Sequence, residues 1–260
     1  MPELPEVETV RRALEPRLRG LRISSCEICP PGFNHKALPG VLRAAEGETI
    51  AAVRRRGKYL ILDLSNRKNL ILHLGMSGRL SFGQNGPHTR FVLRAGNVFV
   101  AFHDPRRFGR VGCALPPLGP EPLSREFTPE HLFRALKKSR AGVKVLLMDQ
   151  RVVAGIGNIY ATEALYLAKV RPHRPGRRVS RAECDALHAA IIRVLSLAVK
   201  SGGSTLEDES FLDPAGKPGG FQKFVNAYGR KTGRACGHAL KATPKPLAGR
   251  TSLYCPLCQK

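Results

Sequence analysis

Acidic residues are scarce in this chain: 20 Asp plus Glu stand against 43 Lys plus Arg among 260 residues. The formal net charge is +23 and the pI is near 10.5. Solubility alone does not ask for such an imbalance. It fits a partner whose phosphates take up the charge and release counterions. Long apolar runs are missing too. Nothing reaches the roughly 18 consecutive apolar residues of a membrane span, and no basic amphipathic helix dominates. The basic-then-apolar start of a secretory signal is absent, because the chain opens acidic and proline-rich. Seven cysteines, four of them in two C-x-x-C pairs, do not make a disulfide framework. A reduced, cytosolic compartment with a metal site fits better. No internal repeat is evident. What is present suffices for two domains, since 42% of the residues are hydrophobic.

Two textures divide the chain. Val7, Val10, Ala13, Leu14 and Leu18 recur at helical spacing, with Arg11, Arg12 and Arg17 on the opposite face. From about 21 to 115 the pattern changes to short apolar runs broken by Gly, Pro and Asn. Tyr59 to Leu62, Leu70 to Leu72 and Phe91 to Leu93 are examples, and together they predict an antiparallel sandwich or barrel over a domain of residues 1–115. Residues 116–126, rich in proline, read as a linker. The next domain, 127–227, is helical. Thr128 can cap a helix with Pro129 in its first turn, and further helices fit 143–149, 158–168 and 180–200. Ser180 and Glu183 have capping-box spacing. Residues 207–221 predict a long functional loop. The tail, 228–260, is short, basic and cysteine-bearing.

The chemistry-bearing stretch is the start, Met1-Pro2-Glu3-Leu4-Pro5-Glu6. Removal of Met1 leaves Pro2 with a free secondary amine. A chain-terminal amine has a pKa of about 8 against about 10.4 for lysine, so more of it is uncharged near neutrality. Such an amine can attack carbon and form an iminium that acts as an electron sink. The plainer alternative is that Pro and Glu only open a helix, where both suit the first turn.

Six ordered stretches decide between these. MPELPEVETVRR at the start, RRGKYL at Arg55, HLGMSG at His73, DPRRFG at Asp104, GIGNIYATE at Gly155 and GRTSLYCPLCQK at Gly249 together resemble bacterial formamidopyrimidine-DNA glycosylases, over essentially the whole chain. The resemblance implies an α+β fold of two domains. An N-terminal β-sandwich carries an N-terminal helix, and a C-terminal helical domain holds a helix–two-turn–helix and a zinc-finger tail. It implies a monomer acting on damaged double-stranded DNA without a membrane. It also implies a bifunctional glycosylase/lyase for oxidised purines, in which Pro2 attacks the sugar, Glu3 is the acid/base group and Lys58 is a second essential cation. Met76, Arg106 and Phe108 take the positions that fill the gap left by the extruded base. Their loop surroundings of Gly, Ser, Pro and Arg favour exposed tips over core packing. His88, Arg107, Arg140 and Lys144 match positions that touch DNA or lie nearby. Asn158 stands where a glycine-flanked turn enters a helix, a place suited to an anion.

The tail departs from the family's pattern of two C-x-x-C pairs. Cys255 and Cys258 form the second pair, but the first half offers only Cys236-Gly237-His238. His238 keeps the sixteen-residue interval to Cys255, while Cys236 is one residue too close. The expected ligands of one structural Zn2+ are therefore Cys236, His238, Cys255 and Cys258; a finger that has lost its metal is the alternative. Arg250 matches the finger arginine that enters the DNA, and is grouped with the catalytic set. Cys26 and Cys29, three apart in a strand, point to opposite faces and read as structural. Cys113 and Cys184 are expected buried. Two other functions compete: an endonuclease VIII-like glycosylase for oxidised pyrimidines, whose relatives usually have Gly where Leu4 stands, and a non-catalytic zinc-ribbon nucleic-acid-binding protein. The second accounts for charge and cysteines but not for Pro2, Glu3 and Lys58 together.

Overall fold

A computed structural model describes residues 2–35, 39–83, 85–205 and 211–260. Met1 and residues 207–210 of the expected loop lie outside them. Packing divides the chain into two units. One comprises Met1–Pro116 and Val199–Gln222, the other Pro117–Ala198 and Lys223–Lys260.

The first unit opens with α1 (Leu4–Leu18), followed by β1 (Ile23–Ile28), a short α2 (Pro39–Arg43), β2 (Ile50–Arg56), β3 (Tyr59–Leu64), β4 (Asn69–His73), β5 (Arg79–Phe82), β6 (Thr89–Ala95), β7 (Val98–His103) and β8 (Arg110–Gly112). They make two antiparallel four-stranded sheets, ordered β1-β6-β7-β5 and β2-β3-β4-β8. Val10, Leu14, Val53, Leu60, Leu72, Phe91, Leu93 and Phe102 join α1 and both sheets in one buried cluster, which is what a sandwich requires. Leu4, Val7, Val10, Leu14 and Leu18 are the buried stripe of α1. Each such side chain contributes roughly 1.5–3 kcal/mol when fully buried. Cys26 is buried on β1, as a structural role requires, whereas Cys113 is exposed, contrary to expectation, because the chain leaves the sheet directly after β8.

The sequence places 127–227 in the helical half, yet Val199–Gln222 packs with the sandwich. Three contacts explain it. The Glu6 carboxylate accepts the Ser204 N–H at 2.7 Å. The N–H of Phe82, on edge strand β5, donates to Pro214 O at 3.2 Å. Phe211 enters the sandwich core.

In the second unit α3 (Pro129–Lys137), α4 (Val143–Met148), α5 (Asn158–Leu167) and α6 (Arg181–Lys200) fall within a residue or so of the expected spans. Thr128 Oγ1 accepts the His131 N–H at 3.1 Å as N-cap. Ser180 and Glu183 exchange the two hydrogen bonds of a capping box, at 2.8 and 3.2 Å. The tail adds a two-residue hairpin ladder, β9 (Lys241–Ala242) with β10 (Leu253–Tyr254). No helix among the described residues is long and apolar enough to cross a membrane.

Candidate functional site

Pro2 and Glu3 are both buried, immediately ahead of α1. Glu6 reaches back to the Glu3 N–H at 2.8 Å, and its other oxygen holds Ser204. A Cβ on Gly203 would come within 2.9 Å of that carboxylate, so the turn presses on it. Glu6 is thus a fixed support for the N-terminus, a part that its place beside Pro2 in the sequence did not reveal.

Lys58 sits in the tight turn between β2 and β3 and is buried. The preceding Gly57 has φ 55°, a left-handed value suited to glycine. Arg55 steadies this turn. Its Nη1 donates to Gly57 O at 2.9 Å, and its Nε lies 3.2 Å from Glu8 of α1. Burial raises the Glu8 pKa, but its hydrogen bonds to Arg11 and Arg12 outweigh that and lower it overall. The β3–β4 register sets Tyr59 opposite His73, with ring centroids 4.7 Å apart. His73 has a pKa pushed down to about 4, first by burial and then by the charges of Lys58 and Arg110. Its Nδ1 accepts the Gly75 N–H at 3.2 Å, so the neutral ring carries its proton on Nε2. His35, Tyr59, His73 and Arg110 line a cleft of about 420 Å³. His73 and Arg110 were not among the candidates, because only strand pairing sets His73 beside Tyr59 and Arg110.

Met76 lies half-buried in the turn after β4, and Arg106 and Phe108 are exposed in the turn after β7. The Arg106 guanidinium is 5.1 Å from the Phe108 ring centroid. Arg107 differs from its neighbours. It adopts φ 59°, and its Nε and Nη2 donate to Gly32 O and Pro31 O at 2.9 and 3.1 Å. Those donors brace a loop, and its backbone occupies a left-handed conformation uncommon outside glycine. His88 is exposed; its carbonyl accepts the Asp104 N–H at 2.8 Å.

In the second unit Gly157 caps α5 and Asn158 is its first residue. Lys144, one of the residues expected on or near DNA, is fully buried. Its ammonium donates to Asn158 Oδ1, Thr162 Oγ1 and Ser252 Oγ at 2.7, 2.8 and 2.8 Å. The first of these bonds orients the Asn158 side chain. Arg140 is exposed between α3 and α4. The buried Glu163 carboxylate gathers the N–H groups of Asn226, Ala227 and Tyr228 at 2.7–2.9 Å, tying α5 to the start of the tail. Arg250 closes a tight turn with Leu247, through Ala248 and Gly249 at φ 48° and 71°.

The four tail residues converge. The ligand atoms of Cys236, His238, Cys255 and Cys258 all lie within 4.8 Å of one another. Cys236 Sγ is 3.9 Å from Cys255 Sγ, and His238 Nδ1 is 3.6 Å from Cys255 Sγ and 3.3 Å from Cys258 Sγ. Tetrahedral bonds of about 2.3 Å to sulfur and 2.0 Å to nitrogen put ligand atoms roughly 3.5–3.8 Å apart, so the donor set fits one metal. The shortened interval is absorbed at Gly237, whose φ is 70°. Tyr166 donates its hydroxyl to Cys236 Sγ at 3.1 Å. The Gln259 amide bonds Leu165 O and Val170 O at 3.3 and 2.7 Å, seating the knuckle on the end of α5.

A β-sandwich led by a buried Pro-Glu terminus, a helical unit with a glycine-cornered α5 and a Cys/His knuckle define a DNA glycosylase of the helix–two-turn–helix class. Residues 1–111 match the formamidopyrimidine-DNA glycosylase N-terminal domain, and residues 118–210 match that family's H2TH domain. The formamidopyrimidine-DNA glycosylase of Thermus thermophilus is 43% identical over 272 residues, covering 100% of this chain and 98% of the relative. That of Carboxydothermus hydrogenoformans is 38% identical, with complete coverage of both chains. The crystal structure of the Thermus thermophilus MutM (Fpg) protein superposes with TM-score 0.90 at 42% identity, covering 99% of this chain and 98% of that one. A Lactococcus lactis Fpg mutant in complex with a Fapy-dG containing DNA gives TM-score 0.89 at 32% identity, with complete coverage of both. The chain belongs to the formamidopyrimidine-DNA glycosylase family.

Proposed function

We propose that this protein is a bifunctional DNA glycosylase and AP lyase that removes oxidised purines, 8-oxoguanine and formamidopyrimidines, in base excision repair. It acts as a monomer on damaged double-stranded DNA in the cytoplasm, at the nucleoid. The target base leaves the stack, because its glycosidic bond is out of reach inside the duplex. After Met1 removal the Pro2 nitrogen attacks the sugar C1′, and the C1′–N bond breaks with the base departing. The positive end of α1 disfavours protonation of an amine placed at its head, keeping Pro2 nucleophilic. Glu3 protonates the ring oxygen as the sugar opens to the iminium, and serves the later proton transfers. Lys58 supplies positive charge beside the lesion. The iminium acidifies C2′–H; loss of that proton expels the 3′ phosphate, and a second elimination expels the 5′ phosphate. The product is a one-nucleotide gap with phosphate at both ends.

Met76, Arg106 and Phe108 occupy the vacated space, apolar and planar groups against bases and Arg106 toward the orphaned partner. His88, Arg140, Asn158 and the remaining donors of Arg107 take phosphates, and Lys144 acts through Asn158. Cys236, His238, Cys255 and Cys258 would hold one zinc ion, whose contribution would be structural, bracing the tail so that Arg250 meets the DNA. The sandwich carries the chemistry, the helical residues 127–198 grip the backbone, and the tail from 228 presents Arg250.

The observation that supports this most directly is the buried Pro2–Glu3 pair at the head of α1, in a chain matched end to end by named glycosylases. Borohydride trapping tests it. Covalent capture on an 8-oxoguanine duplex, weak capture on a thymine-glycol duplex and loss of both in Pro2→Gly are expected. Equal trapping by Pro2→Gly, or retention of Met1 on active enzyme by mass spectrometry, would remove Pro2 from the mechanism. Preference for thymine glycol would make the enzyme a pyrimidine glycosylase.

A further inference from the structure

Asp104 is a carboxylate with no exposed surface, in a turn that exposes Pro105, Arg106 and Phe108. Its Oδ1 accepts the Ser77 hydroxyl at 2.6 Å, and its Oδ2 accepts the Gly109 N–H at 2.6 Å. Ser77 in turn accepts the Arg106 N–H at 3.3 Å. Ser77 follows Met76, and Gly109 follows Phe108. One buried carboxylate therefore joins the turn that bears Met76 to the turn that bears Arg106 and Phe108. The two turns are also in backbone contact: a Cβ on Gly75 would lie 2.6–2.7 Å from Phe108 and Gly109 backbone atoms. The β4–β8 and β5–β7 ladders end at His73–Arg110 and Arg79–His103, on either side of the two turns, and between those ends Asp104 makes the side-chain link from one turn to the other.

We propose that Asp104, acting through Ser77 and Gly109, is a positioning residue that presents Met76, Arg106 and Phe108 as one preassembled wedge. This rests on the stack-filling role given to those three side chains. A buried charge that loses a partner is costly, so the carboxylate enforces the pairing of the turns rather than merely permitting it. Preassembly matters because three side chains must enter one gap together, and ordering them at that moment would cost affinity.

The test separates wedge presentation from general folding by using two substrates. An 8-oxoguanine duplex has a stack to fill; a single-stranded oligonucleotide with an abasic site has none, yet needs the same Pro2 chemistry. Ser77→Ala and Asp104→Asn should each lower single-turnover excision from the duplex roughly ten- to a hundredfold, the scale of a misplaced constellation. Both should cleave the single strand within about twofold of the parent, and Ser77→Thr, which keeps the hydroxyl, should restore the duplex rate. Adding Phe108→Ala to Asp104→Asn should cost far less than the sum of the two single losses, because both act on one wedge. Equal losses on both substrates, no loss on the duplex, or additive losses would overturn the assignment. If Phe108→Ala alone leaves duplex excision unchanged, the stack-filling role itself fails and this inference falls with it. If Phe108→Ala is impaired while Ser77→Ala is not, only the positioning role is wrong.

Discussion

Glu3 and His73 carry the most specific consequences at the scale of single residues. Glu3 is buried and its backbone is fixed by Glu6, so Glu3→Gln keeps size and shape while removing the carboxyl group that can give and take a proton. General acid–base groups typically contribute about a hundred- to ten-thousandfold. Glu3→Gln should lose lesion excision on that order, measured in single turnover; near-parental excision would count against its role. His73 makes a stability prediction. Its folded pKa of about 4 lies below the ordinary 6.5, so between those values the unfolded chain binds more protons. Stability then rises with pH across that window and falls as pH drops through it, by on the order of 2 kcal/mol between pH 7 and pH 5 for this group. The unfolding free-energy gap between parent and His73→Gln should shrink by that amount over the same range, with the His73 ring still neutral at pH 5 by NMR. An unchanged gap, or titration near 6.5, would show that burial and Lys58 do not set its charge.

Among elements, the knuckle offers the sharpest test. Removing zinc by chelation, or substituting His238→Ala, should take bound metal from about one per chain toward none and weaken DNA binding through Arg250. Metal analysis with a binding titration decides it; metal-free protein with parental affinity would mean that the four residues pack without an ion. This element also shows what a sequence can carry. The resemblance picked His238, because the sixteen residues between it and Cys255 keep the family's interval. Helix ends at Thr128 and Ser180 were legible because caps are local chemistry. The place of Val199–Gln222 was not legible. It depends on Glu6, nearly two hundred residues away, and on the free edge of β5. Likewise His73 comes under the charges of Lys58 and Arg110 only through the register of β3, β4 and β8. Lys144 was expected to touch DNA or lie nearby, and nothing local announces the three side-chain oxygens, drawn from α5 and the tail, that hold it.

For the whole molecule, the net charge of +23 is the dominant quantity, and it predicts how binding responds to salt. Affinity for undamaged duplex should fall linearly on a log–log plot, with a slope of about −0.9 for each phosphate neutralised. Individual residues then sort by how they change that line. Arg140 is exposed on the helical unit, so Arg140→Ala should weaken every duplex alike and flatten the slope by about one unit. Phe108 carries no charge, and its ring is among the few large apolar groups left exposed. Phe108→Ala should leave the slope on undamaged DNA unchanged while narrowing the preference for lesion over undamaged duplex, since its contact forms only once a base has left the stack. Met76→Ala should behave like Phe108→Ala, and anisotropy titrations at several salt concentrations measure both quantities at once. A charge-neutral substitution that flattened the slope, or an Arg140→Ala that lost only lesion preference, would mean that phosphate grip and stack filling had been assigned to the wrong residues.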